Sequence, residues 1–133
     1  MDLEDIDGDA LDLARENARL LGVAERVSFY TGDLYEVLEG QRYDLLLSNP
    51  PYVDALELAA MPAEYHSEPP VALGAGRDGL DLARRILAGA GAHLNPDGLL
   101  VMEVGASWPA LEAAYPDVPF TWVCLLYTSD AAD

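Results

Sequence analysis

Apolar residues recur along the chain with two different periods, which predict helices and strands in turn. A stripe at helical spacing begins after Asp7 to Asp9, which can cap a helix, and ends at Gly22, which can terminate one. The members of this stripe are Ala10, Leu11, Ala14, Ala18 and Leu21. A similar stripe predicts a second helix over residues 78–94. A short third helix is predicted after Ser107, with Pro109 in its first turn.

Short apolar runs between these helices predict strands over residues 1–6, 27–31, 43–48 and 99–104. The run over 43–48 contains three consecutive leucines, a pattern typical of a parallel strand buried on both faces. Residues 95–98 read Asn-Pro-Asp-Gly and predict a turn before the last strand. Because strands alternate with helices, the pattern predicts an α/β fold with a doubly wound parallel sheet.

Polar residues follow three of the predicted strands, namely Asp5, Asp33 and Asn49. In doubly wound sheets, ligands bind beyond the carboxyl ends of the strands. Asp5 suits the two hydroxyls of a ribose, but it could equally favour the positive start of the following helix. Asp33 suits the exocyclic amine of a nucleobase, but it could also be a simple turn aspartate. The residues alone leave both alternatives open.

The loop Asn49-Pro50-Pro51-Tyr52 ends the third strand abruptly, because proline cannot donate to a sheet. An amide or aryl amine is a poor nucleophile, since its lone pair is delocalised. The Asn49 side-chain oxygen and the Pro50 carbonyl could accept from both N–H bonds of such a group and direct its lone pair at a methyl donor. Tyr52 could stack on the planar target and face a positive sulfonium. The alternative interpretation is a rigid turn without chemistry.

The composition fits one small globular domain of 133 residues. With 24 acidic against 7 basic residues, the net charge is −17, which disfavours nucleic acid and suits either a basic protein partner or simple solubility. We expect no membrane association, because no apolar run approaches the roughly 20 residues of a membrane span. The single cysteine, Cys124, allows no internal disulfide and no metal cluster, so we expect no metal and a cytoplasmic location.

Several motifs occur together with the Asn-Pro-Pro-Tyr loop. They are Glu4-Asp5-Ile6, Asp9-Ala10-Leu11, Ala14-Arg15-Glu16-Asn17, Gly32-Asp33-Leu34, Glu68-Pro69 and Gly76-Arg77-Asp78-Gly79-Leu80. This set resembles the class I S-adenosylmethionine-dependent methyltransferases, and among them the protein-(glutamine-N5) methyltransferases. Residues 64–69 and 115–122 resemble the branch that modifies a large-subunit ribosomal protein. The branch that acts on translation release factors is the alternative, and adenine-N6 DNA methylation is a more distant one.

The resemblance implies S-adenosylmethionine as cofactor and a role for each matching residue. Asp5 would bind the ribose and Asp33 and Leu34 the adenine. Asn49 would contact both the cofactor and the substrate amide beside the transferred methyl. Pro50, Pro51 and Tyr52 would complete the substrate site, and Asn49, Pro50 and Tyr52 would be catalytic. The roles of His66, Glu68 and Glu103 stay open; we interpret His66 as a surface residue.

The resemblance covers residues 1–123. The family's glycine-rich cofactor turn, first strand, last strand and N-terminal helical domain have no counterpart in the chain. We therefore expect a partial catalytic domain, with an incomplete Rossmann-like sheet that lacks a strand between residues 1–6 and 43–48, and we expect it to be inactive and prone to aggregate. Residues 124–133 resemble translated sequencing-adapter read-through; a divergent terminus is the alternative.

Overall fold

A computed structural model describes residues 1–51 and 79–123. Tyr52, the rest of the loop to residue 78, and the tail 124–133 lie outside the described residues. The strands are β1 (Asp2–Asp5), β2 (Ser28–Thr31), β3 (Tyr43–Ser48) and β4 (Leu94–Met102). The helices are α1 (Gly8–Leu20), α2 (Asp81–His93) and α3 (Trp108–Ala114). Single 3₁₀ turns cover Ala24–Arg26, Leu34–Val37 and Gly105–Ser107.

The strands form parallel pairs, so the predicted α/β class with parallel strands is confirmed. β1 pairs with β2, with Asp5 opposite Thr31, and β3 pairs with β4, with Leu47 opposite Val101. Within the described ranges these pairs are separate two-stranded sheets, and β1 does not pair with β3. A side-chain bond links the pairs instead: the Tyr43 hydroxyl donates to the Asp2 carboxylate at 2.7 Å. Burial and this bond raise the pKa of Tyr43 to about 12.

Helix α1 begins and ends as predicted, because both ends depend on local chemistry. The Asp7 carboxylate accepts from the Asp9 N–H at 2.9 Å, which caps the first turn. Gly22 has φ +70°, a left-handed conformation that glycine adopts without strain. The predicted apolar stripe is only partly correct, since Leu11 and Ala18 are buried whereas Leu21 is 76% exposed.

The hydrophobic core lies where the start of α2 meets the end of β4 and α3. Its buried members are Leu80, Ala83, Val104 and Leu111. Half-buried side chains from α2, β4 and the segment after α3 pack around it, namely Leu87, Met102, Tyr115, Phe120 and Trp122. The described helices are all too short or too polar to cross a membrane.

The turn predicted at residues 95–98 lies inside β4 rather than before it. Tyr43 pairs with Leu94 and Leu45 with Leu99, so the four residues 95–98 face only one residue of β3 and form a bulge. Asp97 has φ +64°, as a turn residue would. The turn-like conformation of these residues is therefore as predicted. The strand nevertheless continues through them, because Leu94 before the turn and Leu99 after it both pair with β3.

The prediction that β3 is buried on both faces is wrong for this structure. Leu45 and Leu47 are 50% and 72% exposed, and their partners Leu99 and Val101 are 64% and 53% exposed. Because side chains alternate across a strand, these four share one side, which we call the open sheet face. The opposite side, with Leu46 and Leu100, is half-buried. The run of three leucines predicted that other elements pack on both faces of β3, but none of the described elements packs on the open sheet face.

Candidate functional site

Asp5 is the last residue of β1 and is half-buried. Its Oδ1 accepts from the Asp7 N–H at 2.8 Å, so the carboxylate is oriented by the turn into α1. This contact supports the structural interpretation of Asp5 left open by the sequence. A carboxylate accepts several hydrogen bonds, however, and a fixed carboxylate at a strand end can still accept from a ligand hydroxyl.

Asp33 follows β2 and contacts helix α2. Its Oδ2 accepts from Nη2 of Arg85 at 2.8 Å, and both side chains are partly exposed. The bond to Asp33 raises the pKa of the Arg85 guanidinium further above its usual range. No sequence pattern identified Arg85, because the contact joins residues 52 positions apart.

Leu34 adopts a conformation that is unusual for its residue type. Its φ is +55°, in the left-handed region that non-glycine residues rarely occupy. Its backbone N–H donates to Oε1 of Glu4 at 3.1 Å. Backbone outliers of this kind often occur at functional sites, where the surroundings hold them in place.

Glu4 is the second residue of the site that the sequence prediction missed. Burial raises its pKa to about 7; the bond from Leu34 opposes this shift, and the carboxylates of Asp5 and Asp33 add to it. Strand alternation puts Glu4 and Asp5 on opposite faces of β1. In the sequence, the one sign of a role for Glu4 was its position next to Asp5. That position did not distinguish Glu4 from an ordinary surface carboxylate.

The turn that carries Leu34 is held against α2 by Tyr35. The Tyr35 hydroxyl donates to the Ile86 carbonyl at 2.9 Å, and its ring stacks on His93 with 4.3 Å between centroids. Burial raises the pKa of Tyr35 above its usual value. A Cβ at Gly89 would lie 2.4 Å from the Tyr35 ring, so the helix accepts the ring only because residue 89 has no side chain.

The loop after β3 is anchored at its proline. Pro50 is buried and Pro51 half-buried, whereas Asn49 is exposed. The Glu103 N–H donates to the Ser48 carbonyl at 3.0 Å, which ties the end of β3 to the residue after β4. The structure thus presents Asn49 to solvent from a fixed backbone. Tyr52, His66 and Glu68 lie outside the described residues.

In residues 1–51 and 79–123, no three His, Cys, Asp or Glu side chains converge in a way that could hold a metal ion. The arrangement that the structure does provide is a set of hydrogen-bonding groups after parallel strands. Asp5 ends β1, Asp33 and Leu34 follow β2, and Asn49 follows β3. Such groups can hold polar parts of a ligand or substrate without a metal.

Known proteins resemble this chain over most of its length. A family model described as the methyltransferase small domain matches residues 1–64. The ribosomal protein uL3 glutamine methyltransferase of Neisseria gonorrhoeae is 50% identical over 123 residues, which are 92% of this chain and 41% of that protein. The predicted resemblance to the glutamine methyltransferases is confirmed.

Two other glutamine methyltransferases show the same likeness. The proteins of this name from Francisella tularensis and Bordetella pertussis are 49% identical over 121 residues and 42% identical over 130 residues. These stretches are 91% and 98% of this chain, but 38% and 44% of the respective relatives. The chain therefore spans about two fifths of the length of the curated relatives that it matches.

Proposed function

We propose that the complete enzyme transfers a methyl group from S-adenosylmethionine to the side-chain amide nitrogen of a glutamine in ribosomal protein uL3. The observation that carries the proposal is the position of Asp5, Asp33 and Asn49 at or just after the ends of three strands, in a stretch similar to proteins named ribosomal protein uL3 glutamine methyltransferase. The hydrogen-bonding groups at the strand ends support the cofactor and the type of substrate group, and the name of the relatives supports uL3 as the substrate protein.

The groups after β1 and β2 fit an adenine nucleoside. Ribose hydroxyls are donors, and the Asp5 carboxylate is an acceptor already oriented by the Asp7 N–H. The edge of adenine has an amine donor beside a ring-nitrogen acceptor. The Asp33 carboxylate would accept from the amine, and the Leu34 N–H would donate to the ring nitrogen. S-adenosylmethionine, when bound there, would supply an electrophilic methyl group on a sulfonium.

The loop after β3 fits the substrate amide. The Asn49 side-chain oxygen and the Pro50 carbonyl would accept from the two N–H bonds of glutamine, which localises the nitrogen lone pair. Because Pro50 is buried, these acceptors need little reorganisation as the reaction proceeds. The amide proton becomes acidic once the nitrogen gains a methyl group, so water can remove it and no protein base is required.

The alternatives differ in substrate rather than in the acceptor chemistry. A release-factor glutamine would use the same two acceptors, but the relatives from Neisseria gonorrhoeae, Francisella tularensis and Bordetella pertussis are each named for uL3. DNA adenine is also a planar amine. A chain of net charge −17 repels the phosphate backbone, which disfavours DNA.

The test uses the purified complete enzyme with S-adenosylmethionine and three separate substrates: uL3, a release factor and an adenine-containing DNA oligonucleotide. We expect mass spectrometry to find one added methyl group on one glutamine of uL3. Asn17→Ala, on the exposed surface of α1, is a matched control for Asn49→Ala and should retain wild-type activity. Methylation of the oligonucleotide with none on protein would reject the proposal, and methylation of the release factor alone would correct the substrate.

A further inference from the structure

Glu4 contacts Leu34 at the position proposed for the nucleobase, so this contact bears directly on cofactor binding. The carboxylate reaches from the end of β1 to the N–H of a residue 30 positions later, at 3.1 Å. A backbone amide has one hydrogen and makes one strong hydrogen bond. While Glu4 holds Leu34, that donor is therefore taken.

The proposed nucleoside requires this same donor. A base whose amine donates to Asp33 would place its neighbouring ring nitrogen against the Leu34 N–H, where the Glu4 oxygen now lies. The contact between Asp33 and Arg85 is different, because it uses Oδ2 and a carboxylate has a second oxygen. Arg85 can therefore stay in place, whereas Glu4 cannot.

We propose that Glu4 occupies the nucleobase position in the free enzyme and leaves the Leu34 amide when the cofactor binds. This inference rests on the proposed function. In the free enzyme, Glu4 satisfies a half-buried amide and holds Leu34 at its left-handed φ of +55°. On binding, the ring nitrogen takes over both tasks, and the half-buried carboxylate moves into solvent.

The electrostatic surroundings make this displacement dependent on pH. Asp5 on the same strand and Asp33 after β2 repel the Glu4 carboxylate; Tyr30 is its partner in register on β2, and Arg85 on α2 is bound to Asp33. Burial raises the pKa of Glu4 to about 7. Displacement moves the carboxylate into solvent, where its pKa returns toward the usual 4.5, so binding below about pH 7 releases a proton. Base binding should therefore weaken as pH falls through 7.

The experiment measures the affinity of the complete enzyme for S-adenosylhomocysteine by calorimetry at pH 6 and pH 8. This probe carries the adenosine part without the sulfonium charge, so removing one carboxylate does not weaken it through lost attraction to a cation. The variants are Glu4→Gln, which keeps the shape, and Glu4→Asp, which keeps the charge but shortens the reach. Glu16→Gln, on the exposed surface of α1, is the matched control.

At pH 8 we expect Glu4→Gln to bind about fivefold less tightly than wild type, because a neutral amide relieves no buried charge when it leaves the half-buried position. Glu4→Asp should bind more tightly than wild type, because its shorter side chain does not reach the Leu34 amide. Wild type should lose affinity from pH 8 to pH 6, whereas Glu4→Gln should change less and Glu16→Gln should follow wild type.

Weaker binding by Glu4→Asp would overturn the inference and make Glu4 a positioning residue for Leu34. Unchanged affinity with an unchanged pH profile would overturn it as well. If neither wild type nor any variant binds the probe, the cofactor assignment itself fails and the inference fails with it. Thermal unfolding of each variant separates loss of binding from loss of structure.

Discussion

A substitution at Gly89 tests how the turn that carries the candidate nucleoside site is fixed to α2. Gly89 and Gly91 lie in the same helix, but a Cβ at residue 89 would meet the Tyr35 ring at 2.4 Å, whereas at residue 91 it would meet nothing within 4 Å. The Tyr35 ring cannot simply swing away. Its hydroxyl is bonded to the Ile86 carbonyl, and His93, on which it stacks, is itself within 3.0 Å of the Gly89 carbonyl.

The expected magnitude combines two opposing effects. Alanine stabilises a helix interior by about 0.5–1 kcal/mol relative to glycine, and both substitutions share this gain. Forcing a methyl group into a packed site costs about 1–3 kcal/mol, and only Gly89→Ala carries this cost. The free energy of opening α2 should therefore be lower in Gly89→Ala than in Gly91→Ala by about 1–3 kcal/mol.

The assay is amide hydrogen exchange of the complete enzyme, read by mass spectrometry on peptides from residues 81–93, because it reports the local opening of this helix. Combining Gly89→Ala with Tyr35→Leu, which removes the ring, should recover most of the lost protection. If Gly89→Ala protects the helix as well as Gly91→Ala does, the close approach of Tyr35 is not what requires glycine there, and the account of how this turn is held would be refuted.

Three further predictions concern the acceptor loop, Glu4 and the open sheet face. Asn49→Ala should lower turnover of the complete enzyme by about 100-fold or more with little change in cofactor affinity, measured by steady-state kinetics and calorimetry; lost affinity with turnover intact at saturation would make Asn49 a cofactor residue. Because the folded-state pKa of Glu4 is raised from 4.5 to about 7, its contribution to stability is full below about pH 4.5 and is lost as pH rises through 7. Because Glu4 is only half-buried and solvent screens part of the effect, urea unfolding should show wild type losing about 1 kcal/mol relative to Glu4→Gln between pH 5 and pH 8, and equal profiles would contradict the shift. The 133-residue chain should aggregate through its open sheet face, so Leu47→Glu with Val101→Glu should reduce light scattering, whereas Leu20→Glu, on an equally exposed helix position, should not.

Local chemistry explains the parts of this protein that could be predicted from its sequence. Asp7 caps α1 and Gly22 ends it, and both effects act within a few residues. β3 was predicted at its observed bounds, because Tyr43–Ser48 is an apolar run that proline terminates. The position of Asp5, Asp33 and Asn49 at strand ends followed from the same pattern, whereas their binding of a ligand stays a prediction.

Tertiary structure decided which groups meet and which faces are covered. Glu4 reaches Leu34, and Arg85 reaches Asp33, through contacts 30 and 52 residues apart in the chain. Periodicity shows which residues share a face of one element, but not which other element packs against that face. For the same reason, the apolar character of Leu45 and Leu47 predicted a buried strand, whereas their exposure depends on whether another element of the fold covers that side of the sheet.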